Sequence, residues 1–135
     1  MINCTLVERG YDPMGSGAYG APRGAKTHKG IDYCAVKGAG IHSNTDGTVT
    51  KLGYAYASDL SFRYVEVTAL DDTRHRFFYV YPACKVGDKI EPGDVIGFAQ
   101  DIAGKWKGGM KNHIHYEILL AGANKASIDP KEYWK

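Results

Sequence analysis

The chain has 135 residues, 44% of them hydrophobic, with 17 basic against 15 acidic side chains for a net charge of +2. That balance suits a single domain, residues 1–135, built on one core, and it excludes a disordered chain and the basic excess of a nucleic-acid binder. The longest stretch without a charge, 13–22, is ten residues, short of the ~20 that a membrane helix needs, so no membrane span is expected.

Seventeen glycines are nearly twice the usual ~7%. With ten tyrosines they favour short strands joined by many turns, so the expected fold class is all-β: a compact antiparallel sheet or sandwich. The opening MINCTLVERG lacks a basic segment followed by an apolar one. No secretory signal is read there, and delivery by another route is expected. Three cysteines without a CxxC spacing argue against a sulfur-ligated zinc site.

In chain order, the dense glycines and prolines of 10–30 predict a long irregular loop leading into a site. Strand patterns follow over 47–52, 63–70, 73–81, 94–100 and 113–120, with Asp71-Asp72 marking a hairpin. Two Gly-Asp turns in 85–97 (KVGDKIEPGDVIG) suit a tight β-barrel or sandwich. The Gly108-Gly109 pair and the lysines of 101–112 oppose both helix and strand, predicting a functional loop. Asp129-Pro130 reads as an N-cap with proline at the first helical position, opening one short turn.

The chemistry lies in the histidines. In Asn112-His113-Ile114-His115, a strand with period two points His113 and His115 to the same face, roughly 7 Å apart. Upstream, His28 and Asp32 are four apart, with Gly30 between them to let the backbone turn. Either pair alone reads more readily as a loop histidine with a turn-capping aspartate, or as a solvent-facing His-x-His. Together, two imidazoles and a carboxylate make a three-ligand site with an open fourth position, as catalytic zinc uses.

The HxxxD of His28 and Asp32, the DGTV of 46–49, the VGDKIEPGDVIG of 86–97 and the HxH of His113 and His115 resemble the lysostaphin-type (LytM-type) zinc metallopeptidases, which cut peptide bonds in peptidoglycan. The resemblance covers nearly the whole chain. It implies one Zn2+ held by His28, Asp32 and His115, with His113 as catalytic base or stabiliser, in a groove of a compact antiparallel β-sheet. The N-terminal stretch, with Cys4, GSGAYGAPRGAKTHKGID and Cys34, is similar to the leukocyte-derived chemotaxin branch of the superfamily. That similarity implies a Cys4 to Cys34 disulfide and leaves Cys84 as a lone thiol.

One departure stands out. Where the family carries Tyr-x-His-Leu, the aligned residues are Tyr79-Val80-Tyr81-Pro82, placing Tyr81 at the histidine position. His75 is too far along the strand to replace it, and His42 reads as a surface residue. A tyrosine is a poor base at neutral pH but donates well to an oxyanion, so Tyr81 is the expected oxyanion donor beside His113. Tyr19, Arg23 and Trp106, on the glycine-rich loops, are the candidate substrate contacts.

The function expected is a zinc-dependent endopeptidase of cell-wall peptidoglycan, a monomer whose partner is the wall peptide. Its size suits a phage-encoded endolysin or another delivered wall hydrolase. The alternative is a catalytically impaired zinc module that binds peptidoglycan or a protein partner. Arg74, Arg76, Lys105, Lys107 and Lys111 with Trp106 raise a nucleic-acid reading, which the small net charge opposes, and no nucleic-acid partner is expected.

Overall fold

The computed structural model describes residues 7–23, 26–122 and 126–134, without the side chains of residues 23 and 26. The chain begins with short strands β1 (Val7–Glu8), β2 (Tyr11–Asp12), β3 (Gly15–Ser16), β4 (Pro22–Arg23) and β5 (Lys26–Thr27). β6 (Ile31–Cys34) and β7 (Gly40–His42) lead to the long hairpin of β8 (Gly47–Tyr56) and β9 (Asp59–Thr68). β10 (Arg74–Phe78), β11 (Val80–Pro82), β12 (Lys89–Ile90) and β13 (Val95–Ala99) follow, then helix α1 (Ile102–Trp106). β14 (His113–Leu119), β15 (Ser127–Ile128) and a final turn, α2 (Pro130–Tyr133), complete it.

Among the described residues every strand pairing is antiparallel. The main sheet runs β1-β6-β14-β10-β9-β8-β12, with β15 also on β14, and a smaller sheet runs β11-β13-β7. This is the β-rich architecture expected. Alternation explains the core: Val49, Val65, Val67, Phe77, Ile114, Tyr116 and Ile118 point inward and are fully buried, joined by Ile41 and Ile96 of the smaller sheet. At ~1.5–3 kcal/mol for each large apolar side chain, this cluster is the main favourable contribution to folding. No described helix is long and apolar enough to cross a membrane.

Three expectations change. The 10–30 segment is not wholly irregular: β2 pairs with β3 and β4 with β5 in two minimal hairpins. The 101–112 segment contains α1. The Asp101 side chain accepts from the Gly104 N–H at 3.0 Å, Lys107 closes the helix in the left-handed region, and Ile102 anchors it in the interior; the two caps and one buried contact outweigh the poor helix propensity of the surrounding glycines. The expected Cys4 to Cys34 bridge is not found. Cys34 and Cys84 are free thiols, no disulfide occurs among the described residues, and Cys4 lies outside them. At the C-terminus, Asp129 accepts from Lys131 N–H at 3.0 Å with Pro130 in the first turn, as the sequence indicates.

His75 is fully buried on the core side of β10. Tyr116 Oη receives the Trp134 indole N–H at 3.1 Å and contacts His75 Nδ1 at 2.6 Å, while His75 Nε2 lies 2.9 Å from Thr73 Oγ1, whose hydroxyl donates to Asp71. This chain suits a neutral ring that accepts at Nδ1 and donates from Nε2. Burial lowers its pKa from 6.5 to about 4, against the opposing pull of Asp71. Between these values the unfolded chain binds a proton that the folded chain refuses, so stability is lost as the pH is lowered from 6.5 to about 4. The loss should reach about 3 kcal/mol below the folded pKa, at ~1.36 kcal/mol per unit. Denaturant unfolding of wild type and His75→Gln between pH 6.5 and 4 tests this: the variant should show a flatter decline, and an unchanged slope would assign the acid sensitivity to other groups.

Candidate metal centre

The site is built on the pairing of β6 with β14, which sets Asp32 directly opposite His115. Asp32 Oδ1 lies 3.0 Å from His115 Nδ1 and 3.1 Å from His28 Nε2, and these two nitrogens are 2.8 Å apart. His28 arrives from the segment just before β6. Its position depends on Gly30 for a reason other than turning. A Cβ there would overlap the Tyr116 carbonyl and stand 2.9 Å from the His115 ring, so only glycine lets the two segments approach this closely.

The far side of each ring identifies its tautomer. His28 Nδ1 contacts the Ala18 carbonyl at 3.0 Å and His115 Nε2 contacts Glu117 Oε1 at 2.9 Å. Both partners only accept, so these nitrogens carry the hydrogens of the neutral rings. The nitrogens facing Asp32 are then bare. Two nitrogen lone pairs and a carboxylate oxygen converge on one point, an arrangement suited to a cation. Ligands of a tetrahedral zinc bound at ~2.0–2.1 Å stand about 3.3 Å apart, and the observed separations reach that spacing with small adjustments. The donor set fits zinc.

The electrostatics agree. Burial disfavours charge on Asp32, yet the facing His115 and His28 and the positive charge that gathers around them outweigh it and hold the carboxyl well below the usual range. Burial likewise disfavours positive charge at His115, yet the carboxylates of Asp32 and Glu117 prevail and favour it there, a charge that a cation supplies while the facing nitrogens stay bare. The centre attracts positive charge.

His113 is 3% exposed, and its Nε2 lies 3.4 Å from Asp32 Oδ2. Its Nδ1 meets the Lys111 carbonyl at 2.8 Å, so the neutral ring carries its hydrogen there and leaves Nε2 bare. Burial lowers its pKa despite the pull of Asp32. His113 is therefore kept neutral beside the ligands.

A cavity of about 430 Å³ opens over these groups, lined also by Tyr56, Phe78, Tyr79, Ile102, Trp106 and Met110. Trp106 is thus at the site. Tyr19 is not: its hydroxyl bonds to Ser127 Oγ at 3.1 Å, and its ring packs against the core. Arg23 lies on β4, and its side chain is not among those the structure describes.

Tyr81 is also away from the site. It is 58% exposed on β11, opposite Phe98, and does not line the cavity. The reason is Tyr79, which takes a positive φ of 66° between β10 and β11. The kink makes consecutive residues Phe78 and Tyr79 both line the cavity, returns Val80 to the core and turns Tyr81 outward.

Sequence reasoning misses Glu117, Tyr79, Arg9 and Asp12, along with the cavity-lining Tyr56. Glu117 follows His113 and His115 in the same alternation and is readable from it. Tyr79 is hidden by the kink. Arg9 and Asp12 carry no local signal: buried Arg9 donates to Asp32 Oδ2 at 2.9 Å and to both oxygens of Asp12 at 2.8 Å. The pair fixes one Asp32 oxygen so that the other faces the histidines. Of the basic residues considered for nucleic acid, Arg76 is paired with Glu66 at 2.7 Å and Lys105 with Asp59 at 2.9 Å.

A curled antiparallel β-sheet carrying a His-Asp-His ligand set and an adjacent neutral histidine defines a metallopeptidase type of centre. The family model of Peptidase family M23 matches residues 26–130. The chain belongs to this family. Among solved structures it is similar to a mutant form of the catalytic domain of the prophage-encoded M23 protein EnpA from Enterococcus faecalis, with a TM-score of 0.71 and 21% identity, covering 100% of this chain and 96% of that one. The catalytic domain of the antimicrobial peptidase lysostaphin from Staphylococcus simulans gives 0.69 and 20%, covering 96% and 92%. LytU gives 0.62 and 20%, covering 95% and 82%. These likenesses establish the shared fold.

Because Glu117 holds the outer nitrogen of His115, Glu117→Gln should lower zinc affinity by roughly 10- to 100-fold, as loss of such supporting partners does. Competition against a chromophoric chelator, with circular dichroism to show retained folding, measures this. An affinity equal to wild type would remove Glu117 from the centre.

Proposed function

We propose that the chain is a zinc-dependent endopeptidase of bacterial cell-wall peptidoglycan, acting as a monomer in a phage-encoded or otherwise delivered wall hydrolase. The observation that carries this reading is the convergence of the bare His28 Nε2, His115 Nδ1 and Asp32 Oδ1 beside neutral His113, at the floor of an open cavity. Likeness along the whole chain to a prophage-encoded M23 catalytic domain supports the setting. Family membership supports the chemistry.

His28, Asp32 and His115 would hold the metal. Zinc, when bound there, supplies a Lewis acid that polarises the scissile carbonyl and brings the pKa of water toward 7. His113 acts on the proton. Its bare Nε2 accepts a hydrogen from the attacking water, and the Nδ1 bond to the Lys111 carbonyl keeps the ring aimed while the imidazolium exists. The same proton passes to the leaving amine as the C–N bond breaks, returning His113 to its neutral form. Trp106 and Tyr56 form one wall of the cavity and present flat apolar surface to the peptide backbone.

Zinc-loaded protein incubated with cell-wall sacculi, both glycine-bridged and directly cross-linked, should release new amino groups. His113→Ala should reduce release by at least ~100-fold, the scale of a general base, while retaining one zinc per chain; His28→Ala should lose both. No release by wild type from either wall would overturn the enzyme and favour a zinc-holding module that binds the wall or a protein partner.

A further inference from the structure

Among the described residues, the cavity contains one hydroxyl with a hydrogen to give. Tyr56 Oη receives the Trp106 indole N–H at 3.2 Å and donates its own hydrogen to Tyr79 Oη at 3.3 Å. Tyr79 is therefore an acceptor within this chain, and its own hydroxyl hydrogen has no acceptor among the described residues. Its ring stands edge-on to His113, centroids 5.6 Å apart, and lines the same cavity as the ligands. The Tyr56 and Tyr79 rings stack with centroids 6.1 Å apart, fixing where the hydroxyl points.

The backbone supplies independent support. Tyr79 is a bulky residue at φ 66°, a conformation that disfavours any side chain other than glycine. Its own amide donates to the Arg63 carbonyl and its carbonyl accepts from the Gln100 amide, both at 2.8 Å, so the surrounding strands hold the kink in place. Such a conformation at a cavity wall marks a residue aimed by its neighbours. The ring carries the consequence: it is brought to the cavity wall beside His113, and Tyr81 is turned away.

We propose that Tyr79 is the oxyanion donor of this active site, and that Tyr56 and Trp106 position it. This rests on the endopeptidase reading. Water oxygen bonds to the scissile carbonyl carbon and the carbonyl π pair moves onto its oxygen, while the water proton goes to His113. Tyr79 gives that oxygen a hydrogen bond without surrendering its proton. When the carbonyl re-forms, the C–N bond breaks and the amine takes the proton from His113. Burial and the nearby carboxylates of Asp32 and Glu117 raise the Tyr79 pKa, so the phenol keeps its hydrogen throughout.

The test compares wild type, Tyr79→Phe and Tyr56→Phe, all zinc-loaded. Turnover is read on the wall peptide, and binding of a Gly-Gly phosphinate, a tetrahedral mimic of the addition step, is read by calorimetry. Tyr79→Phe should lower kcat by about 100-fold, the lower end for a lost oxyanion donor, with KM within about threefold and one zinc still bound. Phosphinate affinity should weaken in parallel. Tyr56→Phe should produce a smaller loss in the same two quantities. An unchanged kcat in Tyr79→Phe, or a loss accompanied by loss of zinc, overturns the assignment while leaving the endopeptidase reading intact. Absence of wild-type turnover overturns the endopeptidase reading; phosphinate binding then judges Tyr79 separately, and equal affinity in wild type and Tyr79→Phe, or no binding by either, removes its donor role.

Discussion

Everything at the site depends on one buried carboxylate. Asp32 is 2% exposed, with one oxygen held by Arg9 and the other facing two histidine nitrogens. A charge in that position is tolerable only because it is fully partnered; breaking a buried pair by deleting one member costs ~3–5 kcal/mol. Arg9 is in turn neutralised by Asp12, which also accepts the backbone N–H groups of Met14 and Lys111. The N-terminal segment, β6 and the approach to β14 therefore meet at a single ion cluster. The fold and the site are stabilised by the same contacts.

This sharing separates structural from chemical duties among similar residues. His75 and His113 are both buried and both kept neutral by burial, but His75 is saturated by Tyr116 and Thr73 within the core, whereas His113 retains a bare nitrogen on the cavity side. Glu66 and Glu117 likewise both approach Arg76, at 2.7 and 3.9 Å. Only Glu117 continues to a ligand ring. A chain of polar contacts thus runs from Thr50 through Glu66, Arg76 and Glu117 to His115, tying the outer strands of the sheet to the centre.

Much of this is legible without the structure. Period-two alternation places His113 and His115 on one face, and the spacing of His28 and Asp32 suggests a shared target; the register of β6 on β14 brings them together. Alternation fails at Tyr79 because it assumes an unbroken strand, and one positive φ shifts its phase. Gly30 reads from the sequence as a turn-former, although its role is to admit the His115 ring, a tertiary contact that no local rule contains. Arg9 and Asp12 are invisible for the same reason: their partners are distant in sequence. Helix α1 escapes the sequence because a single buried Ile102 and two caps decide it against the local composition.

The central claim is that two imidazoles and one carboxylate oxygen hold zinc in an N/O environment. X-ray absorption at the zinc edge of the stoichiometrically loaded protein measures this directly. The account predicts light-atom ligands only, at ~2.0–2.1 Å, with the outer-shell signature of two imidazoles that falls to one in His115→Ala. A sulfur ligand at ~2.3 Å, or a shell without imidazole, would contradict it.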